Sequence, residues 1–151
     1  MAYTIRKATP KDAGIIAHMM LVWDAELPKH LQMLNGDAPH AETTAKAMTT
    51  NPEFITEVVE EDGKIVGMYV VSKIEGLFCS KPYGILNVMV YPKYRGGKMY
   101  GLRLLERSIK AAKEAGLAWL ESCPWADAHG MHFVLERLGF NFMSRGYALR
   151  F

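Results

Sequence analysis

Apolar and polar residues alternate over 3–7, the period-two pattern of a short strand. The period then changes: Ile15, Ile16, Met19, Met20 and Trp23 recur at helical spacing and predict an amphipathic helix. Thr9-Pro10-Lys11-Asp12 marks its start, with an N-cap residue, a proline at the first helical position and an acid at the third, and Pro28 ends it. Residues 28–40 carry Pro28, Asn35, Gly36, Asp37 and Pro39 and predict a loop; a second helix is expected over 41–48, closed by Asn51-Pro52. Three strands follow over 54–60, 65–74 and 85–91, the first two joined by an Asp-Gly turn at 61–64 and the third stopped by Pro92. The spacing predicts a long helix over 97–115 with Leu102, Leu105, Ile109 and Ala112 as its apolar stripe, and Gly116 as its C-cap. A strand over 117–123 ends at Pro124. Met131, Val134, Leu135 and Leu138 form one face of a last helix stopped at Gly139, and residues 140–151 offer two short strands around Arg145-Gly146. The order β-α-α-β-β-β-α-β-α-β-β holds no repeat or linker and predicts one α/β domain over 1–151.

Composition changes this picture little. A chain of 151 residues, half of them hydrophobic and 23% charged, fits one globular core. The ten methionines read as core filler or as a flexible apolar acceptor pocket. A net charge of +2 argues for neither nucleic-acid nor membrane binding, yet is compatible with local capture of a polyanion. Cys79 and Cys123 form no CxxC pair, and His129 and His132 share a helix face without a third ligand, so neither a disulfide nor a metal site is expected. No apolar signal core opens the chain and no stretch approaches a membrane span, so a cytoplasmic location is expected.

Candidate chemistry concentrates in the stretch from Val88 to Gly101. A strand ends at Pro92, a basic turn with Gly96 and Gly97 follows, and a helix begins. Free N–H groups at the positive end of a helix dipole seat phosphates, glycines let the backbone approach an anion, and Arg95 and Lys98 add charge. The same residues also read as a plain basic βα turn. No GxxxxGK[ST] or GxGxxG is present, which argues against kinase, nucleotidase and dehydrogenase readings.

Val90-x-Pro92-x-Tyr94-Arg95-Gly96-Gly97, the helix after it, Leu135-Glu136-Arg137-Leu138-Gly139-Phe140 and the Gly63-Lys64-Ile65-Val66-Gly67 hairpin together resemble the GNAT superfamily of N-acyltransferases over nearly the whole chain. The resemblance implies a mostly antiparallel six- to seven-stranded sheet with a splayed strand pair and about four helices. It implies acetyl-CoA as cosubstrate, an amine-bearing small molecule or protein as acceptor, and often a homodimer. Backbone groups of Val88, Met89 and Val90 would pair with the pantetheine arm, and one of them near Met89 or Val90 would face the thioester oxygen. Amides of Arg95, Gly96, Gly97, Lys98, Met99 and Tyr100 would hold the pyrophosphate. Lys98 and Tyr100 depart from the family's small residues at their positions, and a positive φ at Lys98 would cost about 1 kcal/mol.

The catalytic residues are less plain. The family's usual late-helix Tyr falls on Leu135, and a frequent Asn falls on Ala128. Tyr147 and Tyr100 are substitute acids, each equally readable as structural. The family's base position falls on Cys123, read as a buried thiol; Glu121, two residues earlier on the same strand face, is the candidate base or a surface carboxylate. Asp24 and Glu26 would attract a cationic amine or simply end a helix. Two other readings stay open: a catalytically degenerate acyl-CoA sensor, and a phosphate-binding regulatory domain without CoA.

Overall fold

The computed structural model describes residues 2–124 and 129–143. One sheet holds β1 (Tyr3–Lys7), β2 (Phe54–Glu61), β3 (Lys64–Ile74), β4 (Tyr83–Val90) and β5 (Leu120–Ser122), in that spatial order. It is flanked by α1 (Ala13–Glu26), α2 (Ala38–Thr50), α3 (Tyr100–Glu114) and α4 (His129–Arg137). β1 to β4 pair antiparallel, whereas β4 and β5 pair in parallel, because α3 is a crossover that returns the chain in the same direction. The sheet is therefore mixed rather than mostly antiparallel, and the described residues hold five strands rather than six or seven. Residues 141–143 carry no strand, and the pair expected around Arg145-Gly146 lies outside the described residues.

Several boundaries shift for local reasons. α2 begins earlier than expected, because Asp37 accepts the His40 N–H at 2.9 Å and Pro39 fits the first turn, where no N–H is needed. β5 is short because its only partner is β4, which it meets from Gly84↔Leu120 to Leu86↔Ser122. Gly84 is where the two strands close on α3's exit. A Cβ there would lie 2.6 Å from Val71 Cγ1 and 2.9 Å from Leu120 Cδ1.

The sheet buries both faces. Met68, Val70, Val58 and Met89 pack under Ile16, Met19 and Met20 of α1 and Ala41 and Ala45 of α2. Tyr69, Val71, Val59 and Leu86 pack under Tyr100, Leu104, Leu105 and Ala111 of α3 and Leu135 of α4. Met19, Met20, Met68 and Met89 act as the expected core filler, whereas Met33, Met99 and Met143 are exposed. Leu105 and Ala112 of the expected stripe are buried on α3, and the buried face widens to Leu104, Ser108 and Ala111 while Leu102 and Ile109 are only partly covered.

A polar clamp fixes α3 to the sheet. Glu57 of β2, almost fully buried, accepts from Arg107 Nε and Nη2 of α3, both at 2.8 Å, and from the Tyr69 hydroxyl of β3 at 2.8 Å. Burial, then the hydrogen bond to Glu57, raises the Tyr69 pKa well above the usual phenol range. The clamp ties the middle of α3 to β2 and β3.

Candidate cofactor cleft and active site

The site begins where β4 outruns β5. Their pairing stops at Leu86↔Ser122, while β4 continues to Val90. Tyr91 donates its N–H to Val66 O at 3.0 Å, so alternation turns the main-chain groups of Met89 towards β3 and those of Val88 and Val90 towards the gap. The expected trio thus divides. Val88 and Val90 offer main-chain groups to an extended ligand, and Met89 commits its own to the sheet and its side chain to the core beneath α1.

After Val90 the chain makes a 3-10 turn at Pro92–Tyr94 and enters a loop that ends at α3. Gly96 has φ +91°, a conformation that glycine adopts without strain. Lys98 is not in the left-handed region; Met99 is, at φ +54° and ψ +33°. The strain of about 1 kcal/mol therefore falls one residue later than the family alignment places it, on an exposed side chain with room for it. Among the described residues no acceptor meets the amides of Gly96, Gly97, Tyr100, Gly101 or Leu102, and no side chain caps α3. These donors stand at the positive end of a 15-residue helix.

Charged and aromatic groups surround them. Arg95 Nε donates to Val90 O at 2.9 Å, and its Nη1 and Nη2 donate to Glu26 Oε1 and Oε2 at 3.0 and 2.6 Å. The Lys98 ammonium meets Glu61. The Tyr100 ring is buried edge-on to Tyr3, 5.6 Å between centroids, and its buried hydroxyl has no hydrogen-bond partner among the described residues. That burial raises its pKa. Glu61, Lys93, Arg95, Gly97, Lys98 and Tyr100 line an open cleft of about 390 Å³. Clustered amides, the three cations Lys93, Arg95 and Lys98, and an orphaned buried hydroxyl suit a diphosphate, and the adjoining strand edge suits an amide-bearing arm.

The family model described as the acetyltransferase (GNAT) family matches residues 19–140, which take in this whole strand, turn and helix. The chain belongs to the GNAT acetyltransferase family. Solved structures share this fold across almost all of the chain. A transcriptional regulator from Bacillus halodurans superposes with a TM-score of 0.79 at 24% identity, over 99% of this chain and 100% of its own. A predicted acetyltransferase from Clostridium acetobutylicum, solved with acetyl-CoA, gives 0.78 at 16% over 99% and 96%. A GNAT acetyltransferase from Streptococcus pneumoniae gives 0.76 at 23% over 99% and 92%. A comparison with curated protein sequences gives no match.

The other GNAT candidates fall into different environments. Glu121 lies on β5 opposite Ile85 and accepts from the Trp119 indole at 2.9 Å, and that indole stacks on Tyr83 with ring centroids 4.8 Å apart. Tyr147 and Ala128 lie outside the described residues. Leu135 is a core residue under the sheet, so its position supplies no acid. Cys123 is exposed rather than buried, because the chain leaves the sheet at Ser122. Asp24 is structural: it is buried and accepts the N–H groups of Met33, Leu34 and Asn35 at 2.7, 3.1 and 3.0 Å. Glu26 is half-exposed and engaged by Arg95.

The links from the turn to Glu26 and Glu61 were not readable in the chain, since they join residues far apart in sequence. The same holds for a cleft of about 640 Å³ on the other side of the turn. There His18 Nδ1 and the Tyr91 hydroxyl are hydrogen-bonded at 2.7 Å. No group of His, Cys, Asp and Glu among the described residues would hold a metal ion, and no helix there is long and apolar enough to cross a membrane.

Proposed function

We propose that this GNAT protein transfers the acetyl group of acetyl-CoA to a primary amine by direct attack in a ternary complex. The observation that carries the reading is the row of unpaired amides at Gly96, Gly97 and Tyr100 to Leu102 beside the open edge of β4. Bound acetyl-CoA would supply a thioester with a thiolate leaving group. The amides and Arg95 and Lys98 hold the diphosphate, while Val88 and Val90 pair with the pantetheine arm. The Val90 N–H, turned into the gap, would donate to the thioester oxygen. Holding both reactants in one cleft supplies much of the rate without a covalent enzyme intermediate. Glu121 accepts the amine proton, directly or through water, and Tyr147 is the candidate acid for the leaving thiolate. The protein acts in the cytoplasm, and no nucleic acid or membrane takes part.

The test is calorimetry with acetyl-CoA on the wild type and on Arg95→Ala/Lys98→Ala. The double variant is expected to lose about 1–3 kcal/mol of binding free energy, the range for charge-assisted hydrogen bonds. Unchanged affinity rejects the assigned turn.

A second reading, an acyl-CoA sensor without turnover, is favoured by one observation: Leu135 is buried in the core where the family's usual acid would stand. Release of free thiol with a panel of primary amines separates the two, because a sensor binds acetyl-CoA and releases none.

A further inference from the structure

Both side-chain cations of the phosphate turn already have carboxylate partners in the ligand-free protein: Arg95 is held by Glu26, and Lys98 by Glu61. The Arg95 contact is the more telling. Its guanidinium spans from Glu26, in the last turn of α1, to the carbonyl of Val90. That carbonyl belongs to the β4 edge that faces the gap, and Arg95 itself lines the cleft, so the pair ties up a cation of the cleft wall. Glu26 and Arg95 are also the more exposed of the two pairs, with side chains 38% and 46% accessible, so water and a competing anion can reach them.

We infer that Glu26 is a built-in competitor for the phosphate turn, acting through Arg95 to set which anions the turn accepts and how long a bound one stays. The inference rests on the cofactor reading above. With Arg95 paired to Glu26 and Lys98 to Glu61, an arriving anion meets the amides of α3 and Lys93, while both cations of the turn are engaged by carboxylates. A monoanion gains too little there to displace a bidentate carboxylate, whereas a diphosphate spans several amides and brings enough charge to draw Arg95 away. The displaced Glu26 then stands as a like charge beside the ligand and favours its departure. Glu26 is thus a positioning residue that keeps the turn selective and the spent cofactor releasable. A passive brace predicts the opposite sign, since loss of the brace would disorder Arg95 and weaken binding.

The experiment compares the wild type with Glu26→Gln, which can keep a hydrogen bond to Arg95 but loses the charge. Glu42→Gln, an exposed residue of α2, controls for net charge. Calorimetry uses three probes: CoA, inorganic pyrophosphate and inorganic phosphate, each at low and at 0.5 M salt. Glu26→Gln is expected to bind CoA and pyrophosphate roughly tenfold more tightly than either other protein. It should also gain measurable phosphate binding, and the advantage should shrink at high salt. Stopped-flow dissociation of CoA should slow by a similar factor. Equal or weaker pyrophosphate affinity in Glu26→Gln overturns the inference, as does an equal gain in Glu42→Gln. If CoA binds no variant while pyrophosphate binds Glu26→Gln more tightly, the competitor role stands and the cofactor reading falls.

Discussion

Replacing Glu57 by alanine removes the acceptor shared by Tyr69 and Arg107, and the structure allows the loss to be divided. The Tyr69 hydroxyl is fully buried and its one recorded hydrogen bond, 2.8 Å long, is to Glu57. Orphaning it costs about 1–3 kcal/mol. The Arg107 side chain is 34% accessible and regains water when its partner goes, so its share is discounted to about 1 kcal/mol. The expected total is about 3 kcal/mol, and in a domain of this length about 2–4 °C of Tm accompanies each kcal/mol, giving a fall of about 6–12 °C. Thermal unfolding followed by circular dichroism on the wild type, Glu57→Ala, Tyr69→Phe and the double variant tests the division. Tyr69→Phe should recover about 1–2 kcal/mol in the Glu57→Ala background, since the fully buried donor is then gone and Arg107 is left to water. Losses that simply add in the double variant, or a Tm change under about 2 °C for Glu57→Ala, would refute the clamp.

Other outcomes follow from the same coordinates. The hydrogen bond from Arg6 holds the Asp12 carboxyl at about 2 against an ordinary 3.8. Because the folded value is the depressed one, the stabilisation is complete above about pH 4 and is lost as pH falls towards 2; it amounts to about 2 kcal/mol. Asp12→Asn should flatten the stability–pH curve over that window in urea titrations. Gly84→Ala puts a methyl 2.6 Å from Val71 Cγ1 and should cost about 1–3 kcal/mol by overpacking, read as a lower urea midpoint; an unchanged midpoint would show that β4 and β5 can part at no cost. Glu121→Gln preserves an acceptor for the Trp119 indole, so the fold should be untouched while kcat falls and the pH–rate profile changes; an identical profile removes Glu121 from proton transfer.

Local chemistry was legible where it acts locally. Asp62 and Gly63 both take positive φ, as the Asp-Gly hairpin requires, and that turn positions β2 against β3. The basic turn before α3 was legible for the same reason: glycine, proline and charge act where they stand. What depended on a distant partner was not. Glu57 alternates like any strand residue, and only the arrival of Arg107, fifty residues on, makes it a clamp. Tyr100 is a phenol at a helix start, with nothing in its neighbours to show that Tyr3 would cover it. The strained residue fell at Met99 rather than Lys98, because φ depends on the residue at which α3 begins, which packing under the sheet decides. The short β5 likewise reflects how long β4 stays beside it, a property of the pair and not of either segment.

Asp24 shows what would have made the α3 turn inert. Three consecutive amides converge on that carboxylate, so this stretch of backbone is already saturated by the chain's own side chain. Two concave runs of main-chain donors therefore sit in one small protein, one plugged from within and the other bare. Where a carboxylate stands decides whether such a run of donors is filled from within, and a carboxylate placed at Met99, at the start of α3, is expected to fill the second run as Asp24 fills the first.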